Sequence, residues 1–421
     1  MERTFHIETL GCKANQYDSR RLSESLEQAG LRPAEEAETP DVWILNTCTV
    51  THTADGKSRH LIRQAIRDIP AADIYVTGCY ATHNPDALET IDGVDGVFDR
   101  EQMPELVREI AGHEGDPGAE PEDDFGIGGF PGRSRAFVKI QDGCDFCCNY
   151  CIVCHVRGKP RSMPMQDVLQ EAKKLVDQGF SEIVLTGIHL GMYGKDLQKA
   201  IKLSDAVHQV SELDGLSRLR LSSLEALEVT PRLLEAMQHP TVCPHLHLPL
   251  QSGNDAVLER MGRRYSSAEF ARAVHHARDA LDKPAITTDL MVGYPRETED
   301  EFAETMAFCR KMNFSRMHVF KFSPRKGTPA AEMDGQVHSR IAKKRSKKLR
   351  ALGDTLARRW AESFVHNSVR VLLEEQVGPH RLVGYTDRYV RIQVVADSRY
   401  LDEVVRVNVK GAEDGTLQGT L

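Results

Sequence analysis

Ten cysteines stand at positions 12, 48, 79, 144, 147, 148, 151, 154, 243 and 309, and five of them fall within 144–154. Cys144, Cys148 and Cys151 form a C-x3-C-x2-C pattern on one short stretch. Three thiolates so spaced can wrap one face of a cubane [4Fe–4S] cluster and leave its fourth iron open to a small chelating molecule. A structural zinc would need a fourth protein ligand. Cys147, Cys154 or His155 could supply it, so spacing alone leaves cluster and zinc both open. Phe146 and Tyr150 could shield a cluster or be ordinary packing. An even cysteine count in a long chain without a secretion signal does not imply disulfides, and such crowding favours metal ligation. Cys243 and Cys309 sit in apolar surroundings and read as core thiols.

The elements that must position these groups are legible nearby. Thr4–Leu10 reads as a strand running into Gly11-Cys12, Asp41–Thr47 as one running into Cys48, and Asp73–Thr77 as one running into Gly78-Cys79. Helical patterns at Ser19–Gln28 and Gly56–Ile69 separate them. This is a βαβαβ order, hence a parallel sheet whose strand carboxyl ends share one ligand-binding edge. A lone cysteine at a strand end is usually a small buried hydrophobe. Three of three on one edge point instead to joint ligation of a second cluster by Cys12, Cys48 and Cys79.

Residues 111–133 are rich in Gly, Pro, Asp and Glu and read as an acidic linker. Their Gly126-Ile127-Gly128-Gly129 lacks the strand–loop–helix frame of a nucleotide site. A second α/β region follows, with strands at Ala136–Ile140, Glu182–Leu185, Leu219–Leu221, His245–Leu250, Ala285–Leu290 and Arg316–Phe322. Six βα repeats suggest a partial (βα)6 barrel rather than a closed eight-fold one. Short apolar alternations at 367–374, 381–385, 389–395, 403–409 and 416–420 suit a small closed β-barrel. The fold class is α/β with that all-β tail. The expected domains are 1–110, the linker, 134–362 and 363–421.

Composition sets outer limits. Hydrophobic residues make up 40% and charged residues 28% of 421, ordinary for a globular protein. No stretch approaches 18 uninterrupted apolar residues, and no basic segment leads into an apolar one at the start. A membrane protein is therefore not expected, and the cytoplasm is. A formal charge of -8 speaks against a uniformly basic nucleic-acid binder, but the charge is segregated. Residues 114–124 are acidic and 340–350 strongly basic, the latter either an RNA-binding segment or a solvated helix face.

The C-x3-C-x2-C loop after a first barrel strand resembles the radical S-adenosylmethionine (SAM) superfamily. End to end, the chain resembles the methylthiotransferases within it. Gly11-Cys12-Lys-Ala-Asn15-Gln16-Tyr17, Asn46-Thr47-Cys48 and Thr77-Gly78-Cys79 are similar to the three motifs of that family's first domain. Gln141-Asp-Gly143-Cys144 through Cys151, with Arg157-Gly158 and Arg161-Ser162, is similar to its radical SAM loop. Arg220 to Glu225, His247 to Gly253, Thr288-Asp289 with Gly293-Tyr-Pro295, and Phe320 to Ser323 with Gly327-Thr328 also match. Gly384 to Val390 resembles part of a TRAM domain, the family's RNA-binding module. Cys154 stands where the family usually has proline, Arg296 where glycine is common, and Ala14 for valine.

The resemblance implies two [4Fe–4S] clusters, held by Cys12/Cys48/Cys79 and Cys144/Cys148/Cys151, and SAM as cosubstrate. It implies cofactor-derived radical chemistry with no catalytic side chain, because the C2–H bond of an adenine is strong and not acidic. Gly187, Gly191, Ser223, Glu225 and Gln251, near the carboxyl ends of barrel strands, become candidate SAM-binding residues, although each could be a loop or capping residue. The implied substrate is the tRNA anticodon loop, modified on N6-threonylcarbamoyladenosine at position 37. Sister branches act on isopentenyl-adenosine-37 or on a ribosomal protein, and a metal-stabilised RNA-binding protein is the non-enzyme alternative. An electron donor protein and a sulfur source are implied but not identified.

Overall fold

The computed structural model describes residues 2–112, 134–198 and 201–421. Residues 113–133 of the expected 111–133 linker, with its glycine run, lie outside them, and Ala111 ends the Met103–Ala111 helix. The chain divides into two compact units, each discontinuous in sequence.

The first unit joins residues up to 112 with Asp142–Arg161 and Ser323–Ala331. Its strands are β1 (Thr4–Thr9), β2 (Arg32–Pro33), β3 (Val42–Thr47), β4 (Asp73–Gly78) and β5 (Gly96–Val97). They form a parallel sheet in the order β2-β1-β3-β4-β5. Every residue of β3 is buried, as expected for a central parallel strand covered on both faces. Val42 and Ile44 pack with Leu22 and Leu26 on one face, and Trp43 and Leu45 with Ile62 and Ala65 on the other. Those partners come from α1 (Lys13–Gln28) and α2 (His52–Asp68). The expected βαβαβ order is present, but α1 begins six residues earlier than its apolar periodicity indicated. Its first turns bury Asn15, Tyr17, Asp18 and Ser19, mostly polar groups that a hydrophobic pattern does not register.

The second unit joins residues 134–141, Ser162–Phe322 and Glu332–Leu421. Its parallel strands are β6 (Arg135–Asp142), β8 (Glu182–Gly187), β9 (Arg218–Leu221), β10 (His245–His247), β11 (Ala285–Val292) and β12 (Arg316–Lys321). Short β7 (Arg161–Ser162) flanks β6. Isolated parallel bridges, Leu219 to Val242 and Ser223 to His247, link β9 to the β10-β11-β12 sheet. Six parallel strands in sequence order without closure make the expected partial barrel. β10 ends three residues short of its sequence expectation. Pro249 has no N–H for the ladder, and the Leu250 N–H donates instead to Thr288 Oγ1 at 3.0 Å.

The tail is a closed barrel, β13 (Ser368–Gly378), β14 (Arg381–Thr386), β15 (Arg391–Val395), β17 (Thr416–Thr420) and β16 (Val404–Glu413) in spatial order. Val371, Leu373, Leu382, Ile392, Val394, Val407 and Leu417 fill it. It is seated on the parallel sheet by charged groups. Arg218 donates to Tyr385 O at 3.1 Å and Arg220 to Asp387 O at 2.9 Å, while the Arg220 guanidinium lies 3.9 Å from the Tyr389 ring centre. Glu182 accepts from Arg220 at 2.8 Å. Burial opposes the Glu182 charge, but Arg220, Arg218 and Arg135 outweigh it and hold the carboxyl down at about 2. Residues that resembled an RNA-binding signature thus dock the barrel.

Candidate functional site

Cys12 is the N-cap of α1, Cys48 follows β3, and Cys79 opens α3 (Cys79–His83) directly after β4. The three strand ends do bring these thiols together. Asn15 Oδ1 lies 4.0 Å from Cys12 Sγ and 3.7 Å from Cys79 Sγ. A methyl group on Gly11 would come within 3.2 Å of Cys48 Sγ. Asn15 is fixed by donating to Leu10 O at 2.8 Å and Thr47 O at 2.9 Å. Gly78 turns β4 into α3 at φ +93°, and a side chain there would strike Asn46 Oδ1 and the Thr47 backbone.

The cysteine loop is anchored in the same unit. Arg157, at the end of the Val153–Arg157 helix, donates to both Asp142 oxygens at 2.9 Å, to Asp18 Oδ2 at 2.9 Å, and to Asn15 Oδ1. Arg100 adds a bond to Asp142 at 2.9 Å. Two buried arginines thus face two buried carboxylates, a balanced arrangement that a single substitution would unbalance. Cys79 also packs on Ile152, next in sequence to Cys151, and on Val156. Arg325 pairs with Asp55 at 2.7 Å and donates to Thr49 at 2.6 Å, tying Ser323–Ala331 to the segment after Cys48. Asp18, Asp55, Arg100 and Arg325 carried no signal as site residues in the sequence; Asp142 and Arg157 did so only through the motif resemblance.

The chemistry of the donors suits a cluster. Burial raises the Cys48 thiol to about 11. Burial also raises Cys79, against the opposing pull of Arg157 and Arg100. Burial thus favours the neutral thiol at both positions, and binding a soft cation must displace the proton. Among the described residues no three His, Cys, Asp or Glu side chains gather tightly enough for one metal ion. A cubane spreads its thiolates over separate irons and does not need that closeness. Cys147 and Cys154, which stand outside the cluster spacing, form a disulfide, Cα atoms 5.5 Å apart. Neither is then available as a fourth zinc ligand.

In the second unit, Gly187 ends β8, Ser223 follows β9 and bridges to His247, and Gln251 follows β10 with its N–H on Asp289 O at 2.8 Å. All three stand at the carboxyl ends of neighbouring strands. A methyl group on Gly187 would lie 3.0 Å from Gln141 Oε1. Glu225 is bound to Arg263. The space beside Gly191 is taken by Glu228, which also meets His189 Nε2 at 2.5 Å.

Comparisons with known proteins agree with this architecture. The radical SAM superfamily model matches residues 138–309, and that described as "Uncharacterized protein family UPF0004" matches residues 4–99. The chain is 38% identical to the threonylcarbamoyladenosine tRNA methylthiotransferase MtaB of Bacillus subtilis, over 96% of this chain and 93% of that one. The chain belongs to the radical SAM methylthiotransferase family. The Thermotoga maritima enzyme of the same name is 35% identical over 99% and 96% of the two chains. The tRNA-2-methylthio-N(6)-dimethylallyladenosine synthase of Aquifex aeolicus is 34% identical over 100% and 99%. Among solved structures, the radical SAM methyltransferase TsrM of Kitasatospora setae shares the fold, with TM-score 0.59, 15% identity and 79% and 77% of the chains covered.

One departure from the methylthiotransferase pattern has a structural reading. Arg296 has φ +62°, a conformation that favours the glycine common there. Its N–H bonds Gly335 O at 2.8 Å, and its side chain pairs with Asp334.

Proposed function

We propose that this chain adds a methylthio group to C2 of N6-threonylcarbamoyladenosine at position 37 of tRNA. The observation that carries the reading is the convergence of Cys12 and Cys79 on Asn15, with Cys48 beside Gly11, while Asn15 also accepts from Arg157, at the end of the helix that follows the Cys144–Cys151 loop. The assignment of substrate follows the two relatives named for threonylcarbamoyladenosine.

Cys12, Cys48 and Cys79 would hold one [4Fe–4S] cluster and Cys144, Cys148 and Cys151 another, the latter leaving one iron for SAM. With SAM bound, the group supplies one-electron reduction of the sulfonium and hence a carbon radical strong enough for an adenine C–H bond. The chain's own work is placement. Asn15 and Arg157 hold the cysteine-bearing elements in register, and Gly187, Ser223 and Gln251 line the strand edge where SAM would lie. Glu225 and Gly191 serve that edge through Arg263 and Glu228. No side chain is assigned an acid–base role.

Residues 1–110 form the auxiliary-cluster domain in this reading, 111–133 a linker, 134–362 the radical SAM domain and 363–421 a TRAM-like RNA-binding domain. Lys343, Lys344 and Lys347 are exposed on the Ser339–Glu362 helix and would meet the RNA backbone. No described helix is long and apolar enough to cross a membrane. A cytoplasmic setting, an electron-donor protein and an external sulfur source complete the proposal.

Nucleoside mass spectrometry on tRNA from cells with and without the gene tests it. Loss of 2-methylthio-N6-threonylcarbamoyladenosine supports the reading. Loss of the methylthiolated dimethylallyl nucleoside would move the chain to the sister branch. No change in either, with an added methylthio mass on a ribosomal protein, would overturn the tRNA assignment.

A further inference from the structure

The partial barrel ends on an open strand with an unusual face. Along β12, Arg316, His318 and Phe320 are exposed, while Met317 and Val319 are half-buried on the other side. Met317 lies against Gly353 of the Ser339–Glu362 helix. The exposed row therefore faces away from that helix. It is continued across the sheet by register: Thr287 is beside Arg316, Asp289 beside His318, and Met291 beside Phe320. His247 of β10 sits beside Thr287. Its Nδ1 is 2.9 Å from Thr287 Oγ1, its Nε2 is 3.2 Å from Asp289 Oδ2, and its ring centre is 6.0 Å from that of His318.

The face is graded along the strands. Phe320 and Met291 make an apolar step near the carboxyl edge, and Phe320 is 47% exposed. His318, Asp289 and His247 make a polar step below it. Arg316 makes a cationic step at the amino end and has no ion pair or side-chain hydrogen bond with the described residues. Burial lowers the His318 pKa, opposed by Asp289 and aided by Arg316 and His247, which favours the neutral ring. Four residues of strand span about 13 Å at a rise of ~3.3 Å each.

We infer that this face is the substrate-reading surface for the N6 group of the modified adenine, and that Arg316 and His318 select a threonylcarbamoyl over a dimethylallyl substituent. The inference rests on the proposed function and adds the site of discrimination. The order of chemistry matches. Phe320 offers an aromatic face to the adenine ring, leaving its reacting end toward the carboxyl edge of the strands. The carbamoyl N–H and C=O meet Asp289 and His318, which supply an acceptor and a hydrogen-bonding nitrogen. The threonyl carboxylate meets Arg316, whose guanidinium suits bidentate carboxylate binding. A dimethylallyl group would leave these polar groups desolvated and unanswered, an unfavourable exchange.

The test uses the cluster-reconstituted full chain and anticodon stem-loop RNAs bearing N6-threonylcarbamoyladenosine, its carboxylate methyl ester or N6-dimethylallyladenosine at position 37. KM and kcat for methylthio incorporation are measured for the native chain, Arg316→Leu, Arg316→Lys and His318→Leu. Arg316→Leu should raise KM for the threonylcarbamoyl RNA about tenfold or more, with kcat changed far less. Arg316→Lys should recover part of the loss, and the methyl ester should be as poor for the native chain as the free acid is for Arg316→Leu. His318→Leu should narrow the preference over the dimethylallyl RNA. If the native chain prefers the threonylcarbamoyl RNA and both leucine variants keep its KM and preference, this inference is overturned while the proposed function stands. If the native chain prefers the dimethylallyl RNA, the proposed function fails first and the inference with it.

Discussion

Arg157 answers two buried carboxylates at once, so its loss is felt at both. In Arg157→Met, Asp142 and Asp18 would keep Arg100 but lose the guanidinium that bonds them both. The expected cost is about 3–5 kcal/mol, as for other buried pairs broken on one side. Differential scanning calorimetry should show it as a lowered first transition, and anaerobic reconstitution as reduced iron. Cys147 and Cys154 make the opposite forecast. Their removal as Cys147→Ser with Cys154→Ser should leave iron uptake at about eight per chain, the content of two [4Fe–4S] clusters. Cys144→Ala should instead halve it, and an equal loss in both would place the disulfide pair among the ligands. Arg296 is a smaller matter. Arg296→Gly should relieve about 1 kcal/mol of backbone strain. It gives up only an exposed ion pair worth less than that, so the melting midpoint should rise.

At the scale of elements, Glu182 links folding to acid. Its carboxyl is depressed to about 2 in the fold, against about 4.3 when unfolded. A depressed acid lends stability that is complete above the unfolded value and is lost as pH falls from about 4.3 through 2. The β8–β9 sheet and the barrel docked on it should therefore loosen in that window. Glu182→Gln should show a flatter stability profile there, measured by tryptophan fluorescence, since Trp360 packs against the barrel core. The parallel strands were legible because continuous apolar runs ending in Gly-Cys or Thr-Cys leave few alternatives. The early start of α1 was not, because Asn15, Asp18 and Ser19 are buried by partners distant in sequence. The same limit hid Arg100 and Arg325, whose charge reads as solvent-facing until the fold supplies Asp142 and Asp55. The tail motif was legible as a barrel but not as a docking surface, since Tyr389 meets Arg220 only through tertiary packing.

At the scale of the whole molecule, the RNA-holding role assigned to the Ser339–Glu362 helix has a salt signature. Lys343, Lys344 and Lys347 make no ion pair with described residues. Their joint replacement by alanine should weaken tRNA binding and flatten the log–log salt slope by about 0.7–0.9 for each phosphate left unneutralised. Filter binding across a salt series measures both. An unchanged slope would leave the helix as a solvated face.

The first unit needs three separated stretches of chain, and the last of them carries Arg325. On a ribosome its β-sheet emerges early, yet Asp55 and Thr49 wait for Arg325, which is made about 230 positions after the last strand, Gly96–Val97. At ~5–20 residues per second that is a delay of roughly 11–46 s. During it the thiols of Cys12, Cys48 and Cys79 stand at the edge of a half-built unit. On the proposed ligand assignment, metal loading waits for the end of translation, and a nascent chain stalled before Ser323 should emerge as a cysteine-bearing fragment open to oxidation.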